Sequence, residues 1–251
     1  MKKFALITGA SSGIGKACAQ RLAFRGHNLI LVARRLSRME EMAVQFRRDF
    51  NVEVIVKKAD FMVLNEIEGL FAELSDLQID ILINNAGFAL GKSSIDEYDW
   101  NDFEQMIGVN IRAFTRIAQL AIPKLRQTAG HIVNISSIAG IEAYEGGSVY
   151  CGTKAYVKML SKSMRIDLAG SGVRVTDIAP GAVETEFSTV RFKGDQMKAD
   201  AVYEGFIPLS STDIADVVEF TLNRPRHVNI EYLLITPTAQ ASAARIFREP
   251  K

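Results

Sequence analysis

Tyr150 and Lys154 stand four residues apart in a stretch with helical periodicity, Val149–Ala169, and so share one helix face. A tyrosine hydroxyl, with an unperturbed pKa near ~10, is a poor base at neutral pH. An ammonium close by favours the phenolate. The pair could then take a proton from an alcohol, or return one to an alkoxide. Ser137, thirteen residues earlier at the mouth of an apolar run, could hydrogen-bond a substrate oxygen and stabilise charge developing on it. An isolated Tyr-x-x-x-Lys is ordinarily a half-buried aromatic beside a snorkelling lysine, so the chemistry depends on what else the chain brings.

The first loop reads Thr8-Gly9-Ala10-Ser11-Ser12-Gly13-Ile14-Gly15, between an expected strand and an expected helix. Glycines Gly9, Gly13 and Gly15 let the backbone turn sharply and approach a pyrophosphate, which then sits on the amides and positive dipole end of the helix beginning near Ile14. Ser11 and Ser12 add hydroxyl contacts or cap that helix. The second strand ends Leu31-Val32-Ala33-Arg34-Arg35 with no acid. A carboxylate there would bind a ribose 2′-hydroxyl, whereas the forked donors of Arg34 and Arg35 suit a 2′-phosphate. The alternative is a solvated basic start to the next helix.

The Gly-x-x-x-Gly-x-Gly spacing resembles that of the short-chain dehydrogenase/reductase family, and the resemblance extends over essentially the whole chain. Asn84-Asn85-Ala86-Gly87 follows the fourth strand, Asn110 lies within Gly108-Val109-Asn110, Ser136-Ser137 ends the fifth strand, Tyr150-Cys151-Gly152-Thr153-Lys154 matches the Tyr-x-x-x-Lys signature, and Pro180-Gly181 follows the sixth strand. The resemblance implies a Rossmann-type oxidoreductase using NADP. It places Asn85, Ala86 and Gly87 beside the cofactor riboses, Asp60 and Phe61 against the adenine, and Pro180, Gly181 and Val183 along the nicotinamide. It also implies catalysis by Ser137, Tyr150, Lys154 and Asn110, with Lys154 on the ribose hydroxyls as well and Asn110 in a proton relay.

Within the family, Gly146–Tyr150, Thr185–Asp195 and His227–Ile230 look most like the 3-hydroxy acid (serine or allo-threonine) dehydrogenases. That implies a carboxylate-bearing substrate read by Arg191 or Lys193, with Ser137 and Tyr150 meeting its 3-hydroxyl. A broader NADPH-dependent carbonyl reductase is the alternative, and a non-catalytic NADPH-binding regulator a third, which the intact Ser137, Tyr150 and Lys154 argue against. Three departures stand out: Ser12 where many NADPH-using members carry a basic residue, the Cys151-Gly152-Thr153 filler, and a flap one residue short near Val183–Glu186.

The elements that must position these groups are short apolar runs alternating with helix-period segments. The expected strands are Lys3–Thr8, Asn28–Ala33, Val52–Lys57, Ile79–Asn84, His131–Ser136, Val173–Ala179 and Tyr232–Thr236; helices include Ile14–Arg25, ended by Gly26, then Asp96–Arg126 and Val149–Ala169. Strands apolar on both faces and alternating with helices predict an α/β chain: one doubly wound domain over residues 1–251, with a parallel seven-stranded sheet. Polar residues 184–205 read as a substrate flap.

The 251 residues are 48% hydrophobic and 24% charged, and 30 basic groups nearly cancel 29 acidic ones, which offers no bulk attraction to nucleic acid or an anionic membrane. The 2 cysteines and 3 histidines lack disulfide or metal-ligand spacing, so no metal is expected. The apolar run after Met1-Lys2-Lys3 is too short for a signal peptide, and no segment is long enough to span a membrane. A cytoplasmic protein is expected, and the two long helices resemble the family's interface helices, implying a homotetramer, with a dimer the alternative.

Overall fold

The computed structural model describes residues 2–249. Its strands are β1 (Lys3–Thr8), β2 (Asn28–Ala33), β3 (Val54–Lys58), β4 (Gln78–Asn84), β5 (His131–Ile135), β6 (Arg174–Pro180) and β7 (Tyr232–Ile235). The helices are α1 (Gly13–Phe24), α2 (Leu36–Phe50), α3 (Leu64–Glu73), α4 (Trp100–Ile107), α5 (Phe114–Thr128), α6 (Ser148–Asp167), α7 (Glu186–Arg191), α8 (Gln196–Ala201) and α9 (Ser211–Leu222). Every strand is parallel to its neighbours, in the order β3-β2-β1-β4-β5-β6-β7.

Alternating residues of each strand feed two cores, one on either face of the sheet. Ile7, Leu31, Ile83 and Ile178 pack with α1, α2 and α9. Leu6, Ile30, Leu82 and Val175 pack with α3, α5 and α6. This is why the strands read as unbroken apolar runs rather than as alternating ones.

The expected long helix Asp96–Arg126 is corrected. Helix α4 begins only at Trp100, after Asp99, whose side chain accepts a hydrogen bond from the Asn101 amide. Between α4 and α5 the chain widens into a π turn, Gly108–Ala113, centred on Asn110. Such wide turns inside helices expose a side chain at an angle the regular spiral does not allow. Residues 184–205, expected as a substrate flap, contain the short helices α7 and α8.

Candidate active site

Since β1 and β4 are neighbours whose following helices pack on opposite faces, a crevice must open beyond their carboxyl ends. A cavity of about 930 Å³ lies there. Its walls include Gly9, Ser11, Ser12, Gly13, Ile14, Arg34, Arg35, Asp60, Phe61, Asn85, Ala86, Gly87, Ser137, Tyr150, Lys154, Pro180, Gly181, Val183 and Arg191, so the expected residues scattered over the chain converge. Gly15 and Asn110 stand behind the wall.

Gly9 has φ +66°, and a Cβ at Gly15 would lie 2.4 Å from the Gly9 carbonyl oxygen, so the loop folds back on itself only because both are glycine. Thr8 pins the β1 and β4 loops together. Its hydroxyl accepts from the Asn85 and Ala86 amides at 2.9 and 3.0 Å, and its carbonyl accepts from Asn85 Nδ2 at 2.9 Å. Ser12 makes no side-chain cap bond to α1, and the first turn holds no acid. The serine hydroxyls serve Arg35 instead, whose Nε donates to Ser11 Oγ at 3.1 Å and Nη2 to Ser12 Oγ at 2.6 Å. Arg35 Nη1 also donates to Glu186 at 2.6 Å, and Arg38 grips the other oxygen of that carboxylate at 2.6 Å. Arg38, in the first turn of α2, carries no signal of this role in the sequence pattern.

Tyr150 and Lys154 are 7% and 5% exposed. Lys154 Nζ donates to the Ile135 carbonyl at 2.9 Å and lies 5.9 Å from the Tyr150 ring centre. Burial lowers the Lys154 pKa to about 8, opposed by the Asp177 carboxylate. The expected lowering of the Tyr150 pKa by its lysine is corrected. Burial pushes the phenol above its ordinary range, with Tyr144 adding to the rise and a Ser137 hydrogen bond and Arg191 opposing it. Desolvating a phenolate outweighs an ammonium that bonds a carbonyl elsewhere. Ser137 Oγ accepts from the Ala139 amide at 3.1 Å, and Phe187 packs against the Tyr150 ring at 5.5 Å between centres.

The side-chain amide of Asn110 is anchored within the protein. Its Oδ1 accepts from the Phe88 amide at 3.0 Å, while Nδ2 donates to Phe88 O at 2.8 Å and to Thr153 Oγ1 at 3.1 Å. It thus ties the β4 loop to α6.

Arg191, from α7, donates through Nε to Gly91 O at 3.1 Å and through Nη1 to the Tyr144 hydroxyl at 3.0 Å, with its guanidinium 5.2 Å from the Tyr144 ring centre. Its Nη2 is buried and meets no hydrogen-bond partner. Lys193 is not part of the cavity wall; its Nζ pairs with Asp102 at 2.9 Å and Asp99 at 3.6 Å. Phe187, from the expected flap, also lines the cavity, as do Tyr144, Lys92 and Gln240, whose local sequence pattern carries no such signal. Gln240 Oε1 accepts from the Ala182 amide at 2.8 Å, reaching across from beyond β7.

Comparison with known proteins agrees with this architecture. The family model for short chain dehydrogenase matches residues 3–196. The chain is 40% identical to an NADP-dependent 3-hydroxy acid dehydrogenase of Schizosaccharomyces pombe, over 98% of this chain and 97% of that protein. It is 39% identical to sulfoacetaldehyde reductase 2 of Chromohalobacter salexigens, over 97% and 98%. It superposes with TM-score 0.90 on the closed form of serine dehydrogenase complexed with NADP+, at 37% identity over 98% of this chain and 100% of the other. With the family model matched over residues 3–196 and such relatives covered almost end to end, the chain belongs to the short chain dehydrogenase family.

Proposed function

We propose that this protein is an NADP-dependent oxidoreductase acting on a small 3-hydroxy acid or its keto form, with Tyr150 as general acid and base. The observation that carries the substrate class is Arg191: two of its nitrogens are held by Gly91 and Tyr144, and the third, Nη2, is buried without a partner in the wall that also holds Ser137 and Tyr150. An anionic substrate group supplies the missing acceptor.

The residues fit the cofactor. The Gly9–Gly15 fold-back leaves no room for a side chain where a pyrophosphate must approach, and α1 starts without a side-chain cap or an acid. Arg34 and Arg35 would hold the 2′-phosphate, Asp60 and Phe61 the adenine, and Asn85, Ala86, Gly87 and Lys154 the riboses. Pro180, Gly181 and Val183 would flank the nicotinamide, which when bound supplies or takes up the hydride. Burial keeps Tyr150 protonated at neutral pH, the state an acid needs to protonate an alkoxide during reduction. Ser137 holds the reacting oxygen, Lys154 supports charge on the phenol, and Asn110 completes the relay through which Lys154 exchanges its proton with solvent. Residues 184–205 act as the flap that brings Arg191 over the substrate.

The test compares serine, 3-hydroxypropanoate and sulfoacetaldehyde with uncharged alcohols and aldehydes of similar size, in the wild type and in Arg191→Ala. The substrates bearing a carboxylate or sulfonate should lose roughly 10–100-fold in kcat/KM, the equivalent of about 1.5–3 kcal/mol, while those without one change little. Equal losses would make Arg191 a flap-shaping residue, and a wild-type preference for uncharged substrates would favour the broad carbonyl reductase.

A further inference from the structure

Behind Lys154 the sheet carries a row of polar side chains at a single register. Asn84 on β4 pairs with Asn134 on β5, Asn134 with Asp177 on β6, and Asp177 with Tyr232 on β7. The row faces α5 and α6: Asn84 Nδ2 donates to Phe114 O at 3.0 Å, Asn134 Nδ2 to Ser161 Oγ at 2.8 Å, and Lys158 Nζ lies 4.5 Å from the Tyr232 ring centre. Of the seven buried side-chain polar atoms without a hydrogen-bond partner among the described residues, five belong to this row: Asn84 Oδ1, Asn134 Oδ1, both Asp177 oxygens and the Tyr232 hydroxyl. Asp177 is 2% exposed. Neither of its oxygens meets a donor in good geometry, although the Ser136 hydroxyl and amide lie close enough to favour its charged form.

A carboxylate buried in this way is costly unless a cation compensates it. The charged and titratable groups facing it are Lys154 and Lys158, one helical turn apart on α6, and Tyr232 on β7, which itself also feels Glu142. Lys154 in turn has the Ile135 carbonyl, the Tyr150 ring and Asp177 around it. Without a direct ion pair, the Asp177 charge opposes the effect of burial on Lys154, and Lys154 and Lys158 together oppose its effect on Asp177.

We propose that Asp177 is a positioning residue for the reaction, its carboxylate holding the Lys154 ammonium charged in a site whose dryness would otherwise discharge it. This rests on Tyr150 and Lys154 being the acid–base pair. Burial lifts Asp177 to about 6 and depresses Lys154 to about 8, which leaves a window near neutrality in which both are charged. Removing the carboxylate removes the one influence that raises the lysine, so Lys154 loses its proton at a lower pH. The Tyr150 acid then loses its neighbouring charge while the medium is still near neutral.

The experiment is the pH profile of kcat for carbonyl reduction in Asp177→Asn, which keeps the shape and removes the charge. Its alkaline limb should move down by at least about half a pH unit, roughly a threefold loss of rate at a fixed pH on that limb. NADPH affinity at pH ~6.5 should stay within about threefold of wild type, reporting an intact fold. If the Asn variant does not fold, Asp177→Ser, smaller and also uncharged, takes its place. Tyr232→Phe, in the same row but uncharged in both forms, should leave the limb where it is. An unmoved limb in the Asp177 variants, or an equal shift in Tyr232→Phe, would overturn the proposal. Lys154→Met separates the two levels: retained turnover there defeats the acid–base assignment, whereas an inactive Lys154→Met with an unmoved Asp177→Asn limb defeats only this inference.

Discussion

At Tyr150 two requirements conflict, since an acid must keep its proton in the resting site and release it at the transition state. Burial answers the first by raising the phenol, and the Ser137 hydrogen bond and Arg191 temper that rise. Positive charge brought in beside the ring answers the second. Tyr150→Phe should therefore lower turnover by roughly 10²–10⁴-fold while NADPH binding, read by fluorescence titration, stays nearly intact. A variant keeping a tenth of wild-type turnover would mean that another group delivers the proton. The Tyr150-Lys154 spacing was legible in the sequence; the lysine's commitment to the Ile135 carbonyl was not, because that contact spans 19 residues and depends on how α6 lies across β5.

At the scale of elements, α7 links the two ends of the cavity. Its first residue, Glu186, sits between Arg35 and Arg38, and its last, Arg191, reaches Tyr144. Burial opposes ionisation of Glu186, but the hydrogen bonds and charges of the two arginines win and hold its carboxyl below the ordinary range. The carboxylate thus engages the same guanidinium that is expected to read the 2′-phosphate. Glu186→Gln should tighten NADPH binding roughly two- to fivefold, the size of an exposed ion pair, and leave NADH binding unchanged. The gain should shrink as salt is raised. Equal tightening for both cofactors would place the effect in the flap rather than at the phosphate. Arg34 and Arg35 were visible as an acid-free strand end, but Arg38 and Glu186 were not, since the partners are 148 residues apart.

For the molecule as a whole, one buried histidine couples stability to pH. His131 is 2% exposed at the start of β5. The Thr176 hydroxyl spends its proton on Ile230 O at 2.7 Å, so it accepts from His131 Nε2 at 2.8 Å, and Nδ1 is left without a partner. Burial, with Arg174 adding, lowers its pKa from 6.5 to about 3. The unfolded chain binds the proton first, so stability is whole above pH 6.5 and is lost as pH falls, by at most roughly 1.4 kcal/mol per unit down to about 3. His131→Gln should flatten that slope in denaturant titrations taken across the range; an unchanged slope would assign acid sensitivity to other groups. The outer surface carries its own expectation. Trp100 on α4 is 66% exposed, and Met159 and Ile166 on α6 are 63% and 69%. Apolar side chains left open on helices expected at interfaces are what the expected homotetramer would bury. Light scattering should return four times the 27.7 kDa of one chain, and half that value would mean a dimer.

What the amino-acid sequence determined by itself was whatever depends on neighbours in the chain. Strands apolar on both faces forced a sheet sandwiched between helices, glycines at 9, 13 and 15 forced a tight turn into a helix, and Tyr150 and Lys154 were placed on one face by the helical repeat. Tertiary structure decided whatever depends on distance through space. The π turn at Gly108–Ala113 aims Asn110 at Phe88 and Thr153, the flap carries Arg191 to Gly91, 100 residues away, and four strands align Asn84, Asn134, Asp177 and Tyr232 behind the lysine. The physical reason is that periodicity and backbone preference are local, whereas burial, which sets the protonation of Tyr150, Lys154 and Asp177, is a property of every element packed around a residue at once.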